Sequence, residues 1–169
     1  MRKSLPSNHP SLATAYNNIG LVLYQKGEYD KALENYERAL EIQLKSLPFN
    51  HPSLATTYNN IGLVLHEKGE YDKALENYER TLEIQLKSLP SNHPSLATTY
   101  NNIGLVLYQK GEYDKALENY ERALDIDLKS LPSNHPSLAT TYNNIGLVLH
   151  EKGEYDKALE NYERTLGTK

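Results

Sequence analysis

The chain has 169 residues and a formal net charge of −4, and it contains fourteen Tyr but no Cys and no Trp. The lack of Cys excludes disulfide scaffolds, thiolate metal sites and Cys nucleophiles, and the net negative charge argues against a general nucleic-acid binder. Because no apolar run approaches the ~20 residues of a membrane span and no signal-peptide core follows Met1, we expect a cytoplasmic protein without membrane association.

A repeat of 42 residues covers almost the whole chain. The segment SLPSNHP at residues 4–10 recurs at 46, 88 and 130, with Phe49 as its one substitution. Self-similarity at a fixed period indicates a repeat array, with repeats 4–45, 46–87, 88–129 and a shortened 130–166 between the flanks 1–3 and 167–169. Repeats 1 and 3 are nearly identical, as are repeats 2 and 4. This ABAB pattern is typical of a duplicated pair in a longer natural array or of a consensus design.

The first half of each repeat predicts a helix that begins at the Asn-His-Pro sequence. Pro10 suits the first helical turn, and the residue before a proline resists helical geometry, so His9 or Asn8 is the predicted N-cap. Gly27 is the predicted end, because glycine adopts a positive φ at little cost. Between them, apolar residues spaced by four, three and four lie on one face, which we expect to pack on the second helix: Leu12, Tyr16, Ile19 and Leu23.

The second half predicts another helix, which begins near Tyr29 and ends at Leu47 because Pro48 cannot continue it. Its predicted apolar stripe is Tyr29, Ala32, Leu33, Tyr36, Ala39, Leu40 and Leu44. A single hairpin of this size cannot bury enough apolar surface to offset the entropy of ordering its residues, so neighbouring repeats must cover it. The predicted fold is all-α, an α-solenoid of four helix-turn-helix repeats.

Large and small residues at these spacings resemble the tetratricopeptide repeat. The matching positions are Tyr16, Ile19, Gly20 and Leu23 on the first helix and Ala32, Tyr36 and Ala39 on the second. Small residues such as Gly20 and Ala32 are expected to let the paired helices approach closely. The longer period, the Asn-His-Pro entry and the Tyr-Asn-Asn-Ile-Gly run are similar to the kinesin light chain class of these repeats. The resemblance implies a right-handed superhelix whose first helices line a concave surface that binds extended peptides.

The resemblance places the ligand groove on the face of each first helix that is turned away from the second helix. An Asn carboxamide has both a donor and an acceptor and so matches a peptide backbone; in the kinesin light chain class the slot of Asn17, Asn59, Asn101 and Asn143 is used in this way. The candidate groove residues are Asn17, Asn18, Leu21, Tyr24, Asn59, Asn60, Leu63, His66, Asn101, Asn102, Leu105, Tyr108, Asn143, Asn144, Leu147 and His150.

Two positions on this face alternate between repeats, Tyr24 with His66 and Gln25 with Glu67. The alternation is expected either from tuning of ligand preference or from drift of surface residues. No Lys or Arg lies on the face, so a clamp for a peptide carboxylate, as in chaperone-binding relatives, is not expected. The predicted function is a protein-interaction scaffold that binds an extended peptide; the alternative is a purely structural or designed array with no specific ligand.

Other chemistry receives little support from the sequence. The His residues of the four connectors lie one per repeat, too far apart to share a metal ion, and we expect structural or surface roles for them. No nucleophile with a nearby base, P-loop or dinucleotide motif is present, so we expect neither catalysis nor a cofactor. Base stacking on Tyr24 and Tyr108, as in RNA-binding repeats, lacks the Lys or Arg that phosphates require. The uncapped ends predict head-to-tail self-association or exchange of repeats between chains.

Overall fold

The structure, a computed structural model, describes residues 4–167, and over these residues it contains eight α-helices and no strand. The helices are α1 Pro10–Gln25, α2 Tyr29–Ser46, α3 Pro52–Glu67, α4 Tyr71–Ser88, α5 Pro94–Gln109, α6 Tyr113–Ser130, α7 Pro136–Glu151 and α8 Tyr155–Thr165. The all-α prediction and the two helices per repeat are confirmed. Of the predicted flanks, residues 1–3 and 168–169 lie outside the described residues.

The chain forms two compact units, which divide between Ser88 and Leu89. Unit 1 contains α1–α4 and unit 2 contains α5–α8, so each unit holds two of the helix-turn-helix repeats. Within unit 1, α1 packs along α2, α3 packs along α4, and α3 also contacts both α1 and α2. Unit 2 has the same arrangement, with α7 packed on α8 and against α5 and α6. Within each unit the hairpins therefore pack in series.

Histidine caps the start of the first helix in every repeat. His9 has an extended backbone, and its Nδ1 atom accepts a hydrogen bond from the Ser11 backbone N–H at 3.1 Å, while Pro10 occupies the first turn. His51 caps α3 in the same way. Of the two predicted N-cap candidates, His9 is therefore the one that caps. The side chain satisfies one of the backbone N–H groups that the first helical turn leaves without a partner.

Gly27 ends the first helix as predicted. Its φ is +77°, a conformation that glycine adopts without steric cost. The next residue, Glu28, donates its backbone N–H to the Leu23 carbonyl at 2.9 Å, which closes the last turn in the manner of a Schellman motif. Residue 29 then starts the second helix, so the two helices of a hairpin are joined by a short, fixed turn.

A glycine facing a tyrosine ring sets the closest approach of the two helices in each hairpin. A Cβ atom added to Gly20 would lie 2.7 Å from Cε1 of Tyr36, and Tyr36 is 1% exposed. The same pairing occurs between Gly62 and Tyr78. The tetratricopeptide-like Gly and Tyr positions are thus in direct contact, and the prediction that Gly20 permits close helix packing is confirmed.

The predicted apolar stripe of the second helix is wrong at its C-terminal end. Leu44 is 52% exposed, whereas Ile42 is 9% and Gln43 is 5% exposed. Ile42 and Gln43 follow the buried Ala39 by three and four residues, so they continue its helical face, and Leu44 lies about 100° further round. The buried face of α2 consequently ends in a polar side chain.

Burial of the Ile19 position differs between successive repeats. Ile19 is 48% exposed in α1, whereas its equivalent Ile61 in α3 is 4% exposed. Val22 and Val64 differ in the same way, at 56% and 0%. Because α3 packs against α1 and α2 as well as α4, the face of α3 that carries Ile61 and Val64 is the surface between successive repeats.

Candidate functional site

All sixteen predicted groove residues are at least partly exposed in the structure. They lie on α1, α3, α5 and α7, and the first helices are neighbours within each unit, α1 with α3 and α5 with α7. Asn18, Leu21, Asn143, Leu147 and His150 are exposed, and the other predicted residues are half-buried. The opposite side of each first helix is buried, for example at Gly20 and Leu54. Each unit therefore presents an accessible polar face made of two first helices.

The first Asn of the Asn-Asn pair joins successive repeats. Nδ2 of Asn17 donates to Oγ1 of Thr57 at 2.9 Å, and the Thr57 hydroxyl donates to Oε1 of Gln43 at 2.7 Å. Thr57 is completely buried. We call these three residues the clasp, because it ties α1 and α2 of one repeat to α3 of the next.

Unit 2 has a clasp of different chemistry. Nδ2 of Asn101 donates to Oγ1 of Thr141 at 3.0 Å, but Asp127 takes the position of Gln43 and is 2% exposed. Burial raises the pKa of the Asp127 carboxyl, and the nearby His135 acts in the opposite direction. The second clasp therefore places an ionisable group where the first has a neutral amide.

The clasp is a role that sequence reasoning did not assign to Asn17 and Asn101. A signal was present, because Thr57 and Thr141 are hydroxyl residues on an otherwise apolar helix face. The partner of each, however, lies forty residues away. In contrast, Asn18, Asn60 and Asn144 have no hydrogen-bond partner within the described residues. The carboxamides of these three second Asn residues therefore remain available to a ligand.

At the C-terminal end of the first helices, aromatic residues meet the turn of the hairpin. The rings of Tyr24 and Tyr29 lie 5.8 Å apart, and those of Tyr108 and Tyr113 are equally spaced. Burial raises the pKa of the Tyr24 hydroxyl, and the negative charge of Glu67 in the next repeat raises it further. The two alternating positions noted in the sequence therefore interact with each other across successive repeats.

A lysine that follows the C-terminal end of α3 forms an ion pair with the preceding repeat. Nζ of Lys68 lies 2.7 Å from Oδ1 of Asp30 in the preceding repeat and 3.1 Å from Oε1 of Glu70. The hydrogen bonds that the Lys68 ammonium donates to both carboxylates raise the pKa of Lys68. In unit 2, Lys152 and Asp114 form the same link at 2.6 Å. The two repeats of each unit are thus linked by a clasp in the middle of the first helices and by an ion pair at their end.

A second depression, beside the second helices, was not predicted. In unit 1 it has a volume of about 250 Å³, and the ammonium of Lys87 lies 5.6 Å from the centre of the Phe49 ring. Phe49 is 75% exposed. The residues that line this depression include Leu44, Phe49, Tyr58, Arg80, Ile84 and Lys87.

Neither a metal site nor a membrane-spanning helix is found in the part of the chain that the structure describes. No three His, Asp or Glu side chains within residues 4–167 are grouped closely enough to hold a metal ion. Over the same residues, none of the helices combines the length and the apolar character needed to cross a bilayer. The connector histidines instead cap helices, which agrees with the structural role expected of them.

Comparison with solved structures supports this architecture. Nearly identical tetratricopeptide-like repeats of a protein assigned as a kinesin light chain in Podosopora anserina share 27% identity with this chain at a TM-score of 0.83, covering 98% of this chain and 78% of that one. BtubC (BKLC) from P. vanneervenii shares 26% identity with this chain at a TM-score of 0.87. The match covers 98% of this chain and 65% of BtubC. The apo form of RapI shares 24% identity with this chain at a TM-score of 0.81, and the match covers 92% of this chain and 54% of RapI. At this identity the likeness is evidence for the shared fold only.

The sequence was also compared with protein families and with curated proteins. No curated protein matches it significantly. The family described as tetratricopeptide repeat matches it in four overlapping stretches, residues 1–45, 11–87, 53–129 and 95–168. The resemblance to kinesin light chain-like repeats is confirmed by the nearly identical repeats of the Podosopora structure. With family matches along its whole length and two hairpins packed in series in each unit, the chain belongs to the tetratricopeptide repeat family.

Proposed function

We propose that this chain is a cytoplasmic, non-catalytic scaffold that binds an extended peptide segment along its first helices. Tetratricopeptide repeats serve generally as protein-interaction scaffolds. The observation that carries the finer proposal is that each unit has accessible carboxamides at equivalent positions of its first helices, of which Asn18, Asn60 and Asn144 have no partner within residues 4–167. Each can donate to one peptide carbonyl and accept from one peptide N–H. Backbone recognition of this kind depends little on the ligand's side chains.

The test replaces the second Asn of all four pairs and leaves the clasps intact. The groove variant carries Ala at the four positions Asn18, Asn60, Asn102 and Asn144. The chain offers a matched control, because four other Asn residues lie on the second helices and donate to carbonyls of their own helix: Asn35, Asn77, Asn119 and Asn161.

Both variants and the wild-type chain are titrated with peptides selected from a displayed library of random twelve-residue sequences. We expect the groove variant to lose about a thousandfold in affinity, since four Asn side chains that each contribute about 1 kcal/mol in hydrogen bonds are removed, while the control variant binds like wild type. Equal binding by the groove variant would contradict the proposal. If the library gives no ligand of the wild-type chain, the structural-array alternative is favoured instead.

A second role, self-association, has an observation of its own. Ile19 and Val22 of α1 are 48% and 56% exposed, although the equivalent Ile61 and Val64 of α3 are buried. Leu159 and Leu166 of the last repeat are 58% and 76% exposed. Complementary apolar surfaces at the two ends of one chain allow separate chains to bind head to tail in an open, non-cyclic assembly. Val22→Lys places a charge in this contact, so sedimentation should show concentration-dependent oligomers for wild type and monomers for the variant. A wild-type chain that stays monomeric up to about millimolar concentration, far above typical affinities of specific complexes, excludes this role.

A further inference from the structure

One carboxylate stands out on the first helices of each unit. Within α1 and α3, Glu67 is the only Asp, Glu, Lys or Arg, and within α5 and α7 the only one is Glu151. Both occupy the last residue of their helix and lie on the face that carries the candidate groove. A lone charge on an otherwise neutral face gives that face a definite electrostatic preference.

Two contacts link the end of α3 that carries Glu67 to the part of the preceding repeat that carries Tyr24. Lys68, the following residue, is held 2.7 Å from Asp30, and Asp30 follows Tyr29, whose ring packs against Tyr24 at 5.8 Å. The charge of Glu67 acts on the Tyr24 hydroxyl. Unit 2 reproduces the arrangement with Lys152 bound to Asp114, and with Glu151 acting on Tyr108. We refer to Tyr24 with Glu67, and to Tyr108 with Glu151, as the Tyr–Glu pairs.

The carboxylate of each Tyr–Glu pair is open to a ligand. The side chains of Glu67 and Glu151 are 42% and 43% exposed. Lys68, the nearest lysine in sequence, is engaged by Asp30 and Glu70. Within residues 4–88, no Lys or Arg forms an ion pair with Glu67, and the contact with the ring of its neighbour His66 is 3.9 Å long. The negative charge is therefore not neutralised within its own unit.

We propose that each Tyr–Glu pair is a binding site for a Lys or Arg side chain of the peptide ligand. The carboxylate accepts hydrogen bonds from the cation, and the adjacent tyrosine ring offers its face to the charge and its edge to the aliphatic stem. The inference rests on the proposed peptide binding and names its ligand class, extended segments with basic residues. It also gives the ABAB alternation a reason, because each pair takes Tyr from one kind of repeat and Glu from the other.

The experiment uses two labelled twelve-residue peptides, acetyl-(Ser-Lys)6-amide and acetyl-(Ser-Gln)6-amide, in fluorescence anisotropy at about 0.15 M salt, where distant charges are largely screened. The test variant is Glu67→Gln with Glu151→Gln. Its control is Glu37→Gln with Glu121→Gln, two exposed residues of α2 and α6 that alter the net charge equally. The control separates a local site from general attraction between a cationic peptide and an acidic chain.

We expect wild type and the control variant to bind the lysine peptide about fivefold more tightly than the glutamine peptide, a ratio typical of a partly exposed charge contact. The test variant should bind both peptides equally, at the wild-type affinity for the glutamine peptide. The inference is overturned if wild type does not distinguish the two peptides, if it does not bind the lysine peptide, or if the control variant loses as much affinity as the test variant.

The groove variant described above separates this inference from the proposed function. If wild type binds both peptides equally and the four-Asn replacement abolishes binding, backbone recognition stands and the cation site fails. If the lysine peptide still depends on Glu67 while the four-Asn replacement changes nothing, the cation site stands and backbone recognition fails.

Discussion

Replacing Gly62 with Ala tests the glycine–tyrosine contact that sets the spacing of the hairpin. A Cβ atom at Gly62 would lie 2.7 Å from Cε1, 2.9 Å from Cδ1 and 3.1 Å from Cζ of Tyr78. Carbon atoms in favourable contact are about 3.5–4.0 Å apart, so the ring or the helix must move by roughly 1 Å. Tyr78 is 1% exposed, which leaves the ring no open space.

Two effects of opposite sign decide the result. Alanine is the better helix former, and an interior Gly→Ala change stabilises a helix by up to about 1 kcal/mol. Overpacking of a filled core costs about 1–3 kcal/mol. For Gly62→Ala we expect a net loss of about 1–2 kcal/mol in the free energy of unfolding. At Gly146 the same clash falls on Tyr162, which is only half-buried, so its ring can shift toward solvent and the net change should be close to zero.

The assay is urea unfolding followed by far-ultraviolet circular dichroism, with wild type, Gly62→Ala and Gly146→Ala compared at one protein concentration. A double variant, Gly62→Ala with Tyr78→Leu, removes the ring, and in that background the alanine should no longer destabilise. If Gly62→Ala instead raises the free energy of unfolding, as helix propensity alone requires, the close approach of α3 and α4 is refuted.

Further predictions concern the clasp, the caps and the ion pairs between repeats. Burial raises the pKa of Asp127, so ionisation of this carboxyl at neutral pH opposes folding. Asp127→Gln should therefore raise the free energy of unfolding by about 1 kcal/mol at pH 7 and leave it unchanged below about pH 4, where the carboxyl is protonated in both the folded and the unfolded state. Gln43→Asp should lower the free energy of unfolding at pH 7 and leave it unchanged below about pH 4, as measured by urea titration. His51→Ala removes the acceptor of the Ser53 N–H at 3.1 Å and should cost about 1 kcal/mol, whereas His51→Asn retains a cap; equal melting temperatures for both variants would count against the cap. Asp30→Asn breaks the ion pair with Lys68 and should lower the melting temperature slightly, a difference that about 1 M NaCl removes by screening.

Local features of the fold were predictable from one repeat of the sequence. Proline and glycine marked the ends of α1 at Pro10 and Gly27, and each acts through its own backbone geometry. The alternation of large and small residues correctly indicated that Gly20 permits close packing. These features depend on residues within one hairpin, where sequence separation and spatial proximity largely coincide.

Contacts between repeats were not predictable in this way. Ile19 and Ile61 occupy equivalent positions, yet their exposures are 48% and 4%, because burial there depends on the preceding repeat. Periodicity could not choose between Ile42 and Leu44, which are both apolar. The clasp and the Tyr–Glu pairs join residues about forty positions apart, and a helical period carries no information on that separation. Available carboxamides were predicted along the first helices, but that Asn17 is engaged while Asn18 remains available depends on the clasp.

The division of the clasp between repeats bears on how arrays of this kind change length. Asn17 belongs to one repeat and Thr57 to the next, and every later repeat carries both an Asn and a Thr at these positions. Removal of a segment of 42 residues, or insertion of a copy of repeat 2 or repeat 3, joins an Asn of one repeat to a Thr of its new neighbour, whereas an inserted copy of repeat 1 would bring Ala15 to the Thr position. Unequal recombination can therefore lengthen or shorten such a gene without leaving an unsatisfied polar group at the junction.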